Sequence, residues 1–185
     1  RVKMKQWLET RFADGGELYY DEVDRGVLIE ENLCKYFTDY EREHGIVDYK
    51  AWCFHGQIKF IATANYNGTK VNYYDTQWNE LPFRRDDRTQ LVKFPKPVNL
   101  EQMVKTVNRL LDIAGNPPFI RVDLYNFGMD TYFGEFTHSP GKGDKPFIPL
   151  DPKQPRDWYE LEFGRAVANN SLTVVTFKWK HTVGE

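Results

Sequence analysis

The longest regular pattern of apolar positions lies in "NLEQMVKTVNRLLDIAG", residues 99–115. Leu100, Met103, Val104, Val107, Leu110, Leu111 and Ala114 recur at helical spacing and form one stripe. Asn99, with Gln102 three residues on, reads as an N-cap with a capping box, and Gly115 before Pro117-Pro118 ends the helix. Val2, Met4, Trp7, Leu8 and Phe12 predict a second helix over 1–13, stopped by the cluster Asp14-Gly15-Gly16. A third is predicted around "DWYELEFGRAVAN", residues 157–169.

Elsewhere the period is two. "DYKAWCFHGQIKFIATANYNGTKVNYYD" (48–75) predicts a meander that turns at His55-Gly56 and Asn67-Gly68. "GVLIEENL" (26–33) predicts a buried strand of Val27, Leu28 and Ile29 that runs into two acids, and "SLTVVTFKW" (171–179) predicts a β-rich tail. "FIRVDLYNFGMDTYFGEFTHSPGKG" (119–143) predicts a hairpin. Ile120, Val122 and Leu124 share one face of its first strand, and Arg121, Asp123 and Tyr125 the other. On the return strand Phe133, Glu135 and Thr137 share a face, opposite Tyr132, Gly134 and Phe136. With Asp123 across from Glu135, the turn becomes a five-residue loop at 127–131. Strands dominate and there is no βαβ rhythm, so the fold class is α+β with mostly antiparallel sheet and a few packed helices.

Composition narrows the picture. With 185 residues, 41% hydrophobic and 16% aromatic, the chain is long and apolar enough to bury a core. A net charge of −2 gives no general case for nucleic acid or a membrane surface, so any basic site is local. No apolar run approaches the roughly 20 residues of a membrane span. Cys34 and Cys53 fit no metal-ligand spacing and make a weak disulfide case, which points to a reducing, cytoplasmic home.

The hairpin carries the chemistry. Asp123 opposite Glu135 puts two carboxylates roughly 5 Å apart at Cβ. They repel unless a cation or a shared proton lies between them. Two readings stay open: an Arg121–Asp123–Glu135 network on a solvated face, or a magnesium site. Magnesium is typically held by one or two carboxylates plus nucleotide phosphates, and Arg121 would then grip phosphate oxygens with its planar fork.

The same residues resemble the metal-binding end of the ATP-grasp ligases, and more specifically the TupA-like ATP-grasp family, associated with synthesis of cell-surface polymers. The resemblance runs from about Trp7 to Gly164 through "VLIEENL", "DYKAWCFHGQIKFI", "NYYDTQWNELPF", "PVNLEQM", "RVDLYN" and "YFGEFTHSPGKG". It implies ATP and Mg²⁺ as cofactors, a small-molecule or polymer carboxylate as substrate and an amine as acceptor. Ligases of this kind activate the carboxylate by phosphoryl transfer, and the amine attacks the acyl phosphate. Arg121 matches the arginine on the transferring phosphate, and Asp123 and Glu135 match the magnesium carboxylates. Thr137 stands where the superfamily usually has Asn, so its hydroxyl is the candidate replacement ligand. The backbone from Glu30 through Glu31 and Asn32 to Leu33 matches the hinge that bonds adenine, and Asp48 falls where an acid usually takes the ribose hydroxyls.

The resemblance also implies that this is the C-terminal part of the family's domain. Residues 1–25 belong to an incomplete front lobe, 26–170 form the C-terminal lobe and 171–185 the tail. The lysines that grip the α- and β-phosphates normally precede the hinge, so an upstream lobe or partner chain is expected to complete the pocket. The competing reading is a non-catalytic binding or assembly module of the same pathway, or a glycosyltransferase-associated protein. Lys50, Lys59, Lys70, Asp75, Trp78, His138, Lys142 and Lys145 each have a structural explanation beside a functional one: solvated surface, turn or core.

Overall fold

Alternate apolar side chains of the central strands and the stripe of one helix meet on one side of a sheet. The computed structural model describes residues 2–9, 24, 26–65, 68–88, 90–143, 145–159, 163 and 164. Helix α1 (Val2–Glu9) opens the chain and α2 (Asp39–His44) precedes the sheet. The strands are β1 (Val47–Phe54), β2 (Gln57–Asn65), β3 (Lys70–Tyr74), β4 (Phe83–Arg85) and β5 (Gln90–Leu91). Helix α3 (Leu100–Ile113) follows, then β6 (Phe119–Phe127), β7 (Asp130–Thr137) and β8 (Phe147–Pro149). Six strands form one sheet in the order β5-β3-β2-β1-β6-β7, antiparallel except where β3 meets β5. β4 and β8 pair separately. The α+β expectation holds.

One face of the sheet is covered by α3. Met103, Val107 and Leu111 are each 1% exposed and pack with Ala51, Cys53, Ile61, Ile120, Val122 and Leu124. Each such side chain stabilises the fold by about 1.5–3 kcal/mol relative to an exposed one. The opposite face is divided. Its β2–β3 half carries a second, aromatic cluster of Phe60, Tyr73, Phe83 and Phe147, with Trp52 and Phe163 packed on it. Its β1–β6–β7 half is polar and carries the charged residues considered below. The sheet therefore buries both faces in its middle and leaves one charged quarter for chemistry.

Local details depart from the sequence reading in four places. Residues 26–32 form no strand, and Leu28 and Ile29 are 82% and 80% exposed. A strand needs a neighbour for its backbone, and both sides of β1 are already taken by β2 and β6. Asn99 makes no side-chain cap on α3. Its amide instead exchanges hydrogen bonds with Asn126: Asn99 Nδ2 donates to Asn126 Oδ1 at 2.9 Å and Asn126 Nδ2 donates to Asn99 Oδ1 at 2.7 Å. A buried amide pair tied on both sides outweighs one cap bond, and it anchors the start of α3 to β6. The capping box lies on α2, where Thr38 and Glu41 bond reciprocally. The fourth departure is the hairpin turn. It has two residues, Gly128 and Met129, between the paired Phe127 and Asp130.

The His55-Gly56 turn forms with both residues at positive φ, 48° and 71°. Of the second turn Gly68 is described, at φ 65°, while Asn67 lies outside the described residues, as do the Asp14-Gly15-Gly16 stop, the 171–179 tail and most of 157–169. Among the described residues no helix is long and apolar enough to cross a membrane.

Cys34 is exposed, Cys53 is buried, and both are free thiols. Burial pushes the Cys53 thiol up to about 12. Near pH 8 a thiol reagent is therefore expected to titrate one cysteine in the native chain and two in denaturant; two fast native thiols would contradict this packing. Cys53 ionises more readily unfolded than folded. Its contribution to stability is therefore constant at low pH and is lost as pH rises above its ordinary value of 9.0 toward about 12.

Candidate functional site

Hairpin register decides which side chains meet. From the turn outward, Phe127 pairs with Asp130, Tyr125 with Tyr132 and Leu124 with Phe133. Continued without interruption, Asp123 would meet Gly134, and Glu135 would share the core-facing position of Val122. A β-bulge between Asp123 and Leu124 inserts Gly134 as the extra residue, so that Asp123 pairs with Glu135, Val122 with Phe136 and Arg121 with Thr137. A Cβ on Gly134 would lie 3.1 Å from the Asp123 carbonyl oxygen and 3.3 Å from the Tyr125 ring. Only a glycine fits there without displacing that carbonyl. The bulge also corrects the expected faces. Phe133 lies with Phe136 on the Val122–Leu124 side, ring centroids 4.8 Å apart, and not with Glu135.

On the polar face the charges interlock. Arg121 grips Asp123 with its fork: Nε donates to Oδ1 at 2.6 Å and Nη2 to Oδ2 at 2.7 Å. Nη2 also reaches Glu135 Oε1 at 3.3 Å and Thr137 Oγ1 at 3.0 Å. The Thr137 hydroxyl donates to Glu135 Oε1 at 2.8 Å. Lys50, opposite Asp123 on β1, donates to Asp123 Oδ2 at 2.8 Å and stands 2.9 Å from Asp48 Oδ2. Arg121, Asp123, Glu135, Thr137 and Asp48 are thus brought into one constellation, and sequence reasoning missed that Lys50 holds it together. The signal was available: Lys50 and Asp48 alternate on one face of β1, whose neighbour is the strand of Asp123.

Burial divides these groups by task. The side chains of Arg121 and Asp123 are 10% and 5% exposed, whereas Glu135 is 63% exposed. Among the described residues no donor reaches Glu135 Oε2. The buried Oδ1 of Asp48 likewise has no hydrogen-bond partner. Tyr125 lies among these acids; burial, with Asp48, Asp123, Glu135 and Glu30 around it, pushes its phenol above the ordinary range.

The residues that follow segment 30–33 touch the hairpin near its tip. Tyr36 stacks on Tyr132 at 5.3 Å and Phe37 on Phe127 at 5.6 Å. Glu31 bonds Lys35 and Tyr36, and the Lys35 ammonium holds its carboxyl below the usual range. The Asn32 side chain accepts from Cys34 N at 2.9 Å and caps the short 3-10 turn Leu33–Tyr36. Leu33 is half-buried and Glu30 exposed. Other candidates stay apart. Lys59, Lys70, His138 and Lys145 are exposed, and the Lys142 side chain lies outside the described residues. Asp75 accepts from Gln77 N and Asn79 N within a turn, and Trp78 stacks on core Tyr74 at 4.2 Å.

Among the described residues no three His, Cys, Asp or Glu side chains gather as a metal-ligand set. Two carboxylates do face each other, Asp123 with both oxygens ion-paired and Glu135 with one oxygen turned to solvent. That hard-oxygen pair fits magnesium, which needs only one or two carboxylates when phosphates and waters complete its shell.

Arg121→Met is expected to destabilise the chain by about 1–3 kcal/mol in urea titrations, because it leaves buried Asp123 Oδ1 without a donor and Lys50 as the remaining cation on that carboxylate. Glu135→Gln, on an exposed group, is expected to cost under about 1 kcal/mol. Equal costs would contradict this division between a buried pair and an exposed carboxylate.

The sequence profile of a family described as TupA-like ATPgrasp matches residues 1–153. No curated protein and no solved structure matches the chain.

Proposed function

The chain belongs to the TupA-like ATP-grasp family, and from that premise we propose an ATP- and magnesium-dependent carboxylate–amine ligase of cell-surface polymer synthesis, acting in the cytoplasm. Residues 26–170 serve as the C-terminal lobe, 1–25 belong to the front lobe, and an upstream lobe or partner chain completes the pocket. The observation that carries the reading is the meeting of Arg121, Asp123 and Glu135 on one sheet face, with Lys50 beside them.

Mg-ATP, when bound, supplies the phosphoryl group and the charge that draws it onto the carboxylate. The chain's own residues position and neutralise. Asp123 and Glu135 would hold the metal, with the Thr137 hydroxyl beside Glu135 as a third oxygen. Arg121 presents its guanidinium to charge that grows on the moving phosphoryl group, and its fork is already fixed by Asp123, so little reorganisation is needed. Lys50, between Asp48 and Asp123, keeps two close acids compatible and offers a cation to phosphate oxygens. The backbone of 30–33 would bond the adenine and Asp48 the ribose hydroxyls; its unpartnered Oδ1 is an acceptor in need of such a donor. The Pro140-Gly141 turn leaves backbone where a side chain would obstruct a substrate.

Glu135→Gln tests this with little risk to the fold. Calorimetry of the chain with ATP, with and without Mg²⁺, is expected to show metal-dependent binding that the variant weakens at least about 10-fold. Undiminished Mg-dependent affinity in the variant would remove Glu135 from the metal site. No binding by the chain, alone or joined to its upstream lobe, would favour the non-catalytic module.

A further inference from the structure

The tip of the hairpin carries more than a turn. Its two-residue closure sets the rings of Phe127 and Tyr132 5.7 Å apart. By strand alternation both belong to the face of Asp123 and Glu135. Two consecutive residues from the chain before the sheet meet this pair. Tyr36 stacks on Tyr132 at 5.3 Å, and Phe37 stacks on Phe127 at 5.6 Å. Contacts made by adjacent residues to two different rings fix orientation as well as distance, which a single contact cannot do.

Tyr36 connects these rings to the segment that precedes it. Its hydroxyl donates to Glu31 Oε2 at 3.3 Å, and the Lys35 ammonium lies 4.8 Å over its ring while also bonding Glu31. Asn32 caps the turn Leu33–Tyr36. Residues 31–36 are thus tied into one local unit. That unit needs an outside anchor, because residues 26–32 form no strand. The stacks supply one. Their burial differs: Phe127 is 5% exposed and Tyr36 37%. The Tyr36–Tyr132 stack is therefore the outer one, and it can be altered with the core intact.

We propose that the two stacks form a clasp holding 30–33 at a set distance from the hairpin carboxylates, and that Tyr132 is a positioning residue for the base of a bound nucleotide. The clasp is a property of the fold; its effect on a nucleotide rests on the ligase reading. In that reading a nucleotide touches both elements, its base on 30–33 and its phosphates beside Arg121, Asp123 and Glu135. A released segment must return to its place before the base can bind, so affinity falls with the fraction of molecules in which it is in place. A ligand with phosphates and no base does not depend on it.

Tyr132→Ala removes the outer stack and Tyr132→Phe keeps it. Hydrogen exchange followed by NMR is expected to quicken about 5-fold in Tyr132→Ala at the amides of Cys34 and Phe37, both hydrogen-bonded within the turn, with exchange in β1 and β2 unchanged. Calorimetry with Mg-ATP and with Mg-tripolyphosphate is expected to show ATP weakened about 5-fold in Tyr132→Ala, tripolyphosphate unchanged, and wild-type affinity for both in Tyr132→Phe. Unchanged exchange at Cys34 and Phe37 would overturn the clasp. Equal losses for ATP and tripolyphosphate, or undiminished ATP affinity in Tyr132→Ala, would overturn the positioning role and leave the ligase reading standing. Faster exchange in a chain that binds neither ligand would support the clasp, overturn its nucleotide role and count against the ligase reading.

Discussion

A single inserted residue in β7 governs what the polar face can do. Side chains on a strand alternate, so a shift of one position sends each to the opposite face. Starting from a two-residue turn, the regular hairpin would leave Asp123 facing a glycine and turn Glu135 toward the apolar side with Val122. The bulge at Gly134 restores Glu135 to the side of Arg121 and Asp123. The residue that makes this cheap is glycine, because a Cβ there would press against the Asp123 carbonyl oxygen at 3.1 Å. The chemistry of the face is thus decided by backbone geometry before any charge is considered.

Given that register, electrostatics selects the arrangement. Asp48, Asp123 and Glu135 would repel on adjacent strands, and Lys50 and Arg121 stand between them. A buried ion pair is weak evidence for stability, since desolvation opposes its attraction. The buried Arg121–Asp123 pair is better understood as a positioning device: two short bonds to Asp123 hold the guanidinium in one rotamer. Glu135 differs because solvent reaches it, and so does an incoming cation. Lys50 belongs to both halves of the face, holding Asp123 on one side and lining a cleft toward β2 on the other.

Much of this was legible in the sequence, for identifiable reasons. The stripe of α3 and the alternation of β1 report burial directly, so the apolar face of the sheet and the α+β class follow from period. The pairing of Asp123 with Glu135 was also readable, since "RVD" and "GEFT" lie on one hairpin. What escaped was whatever depends on neighbours far along the chain. The bulge was hidden because a five-residue loop produces the same pairing. The exposure of Leu28 and Ile29 was hidden because hydrophobicity does not say whether a partner strand is available. The sequence around Asn99 suggests a cap because its competitor, Asn126, lies 27 residues away. The role of Lys50 is not visible locally because its partner, Asp123, is 73 residues distant.

The central claim is the register of β6 against β7, and cross-strand backbone NOEs measure it without substitution or ligand. The account predicts contacts joining Asp123 to Glu135 and Val122 to Phe136, alongside Leu124 to Phe133. Contacts joining Val122 to Glu135 and Asp123 to Gly134 would mean an uninterrupted hairpin, with the glutamate on the apolar side and no paired carboxylates at the site.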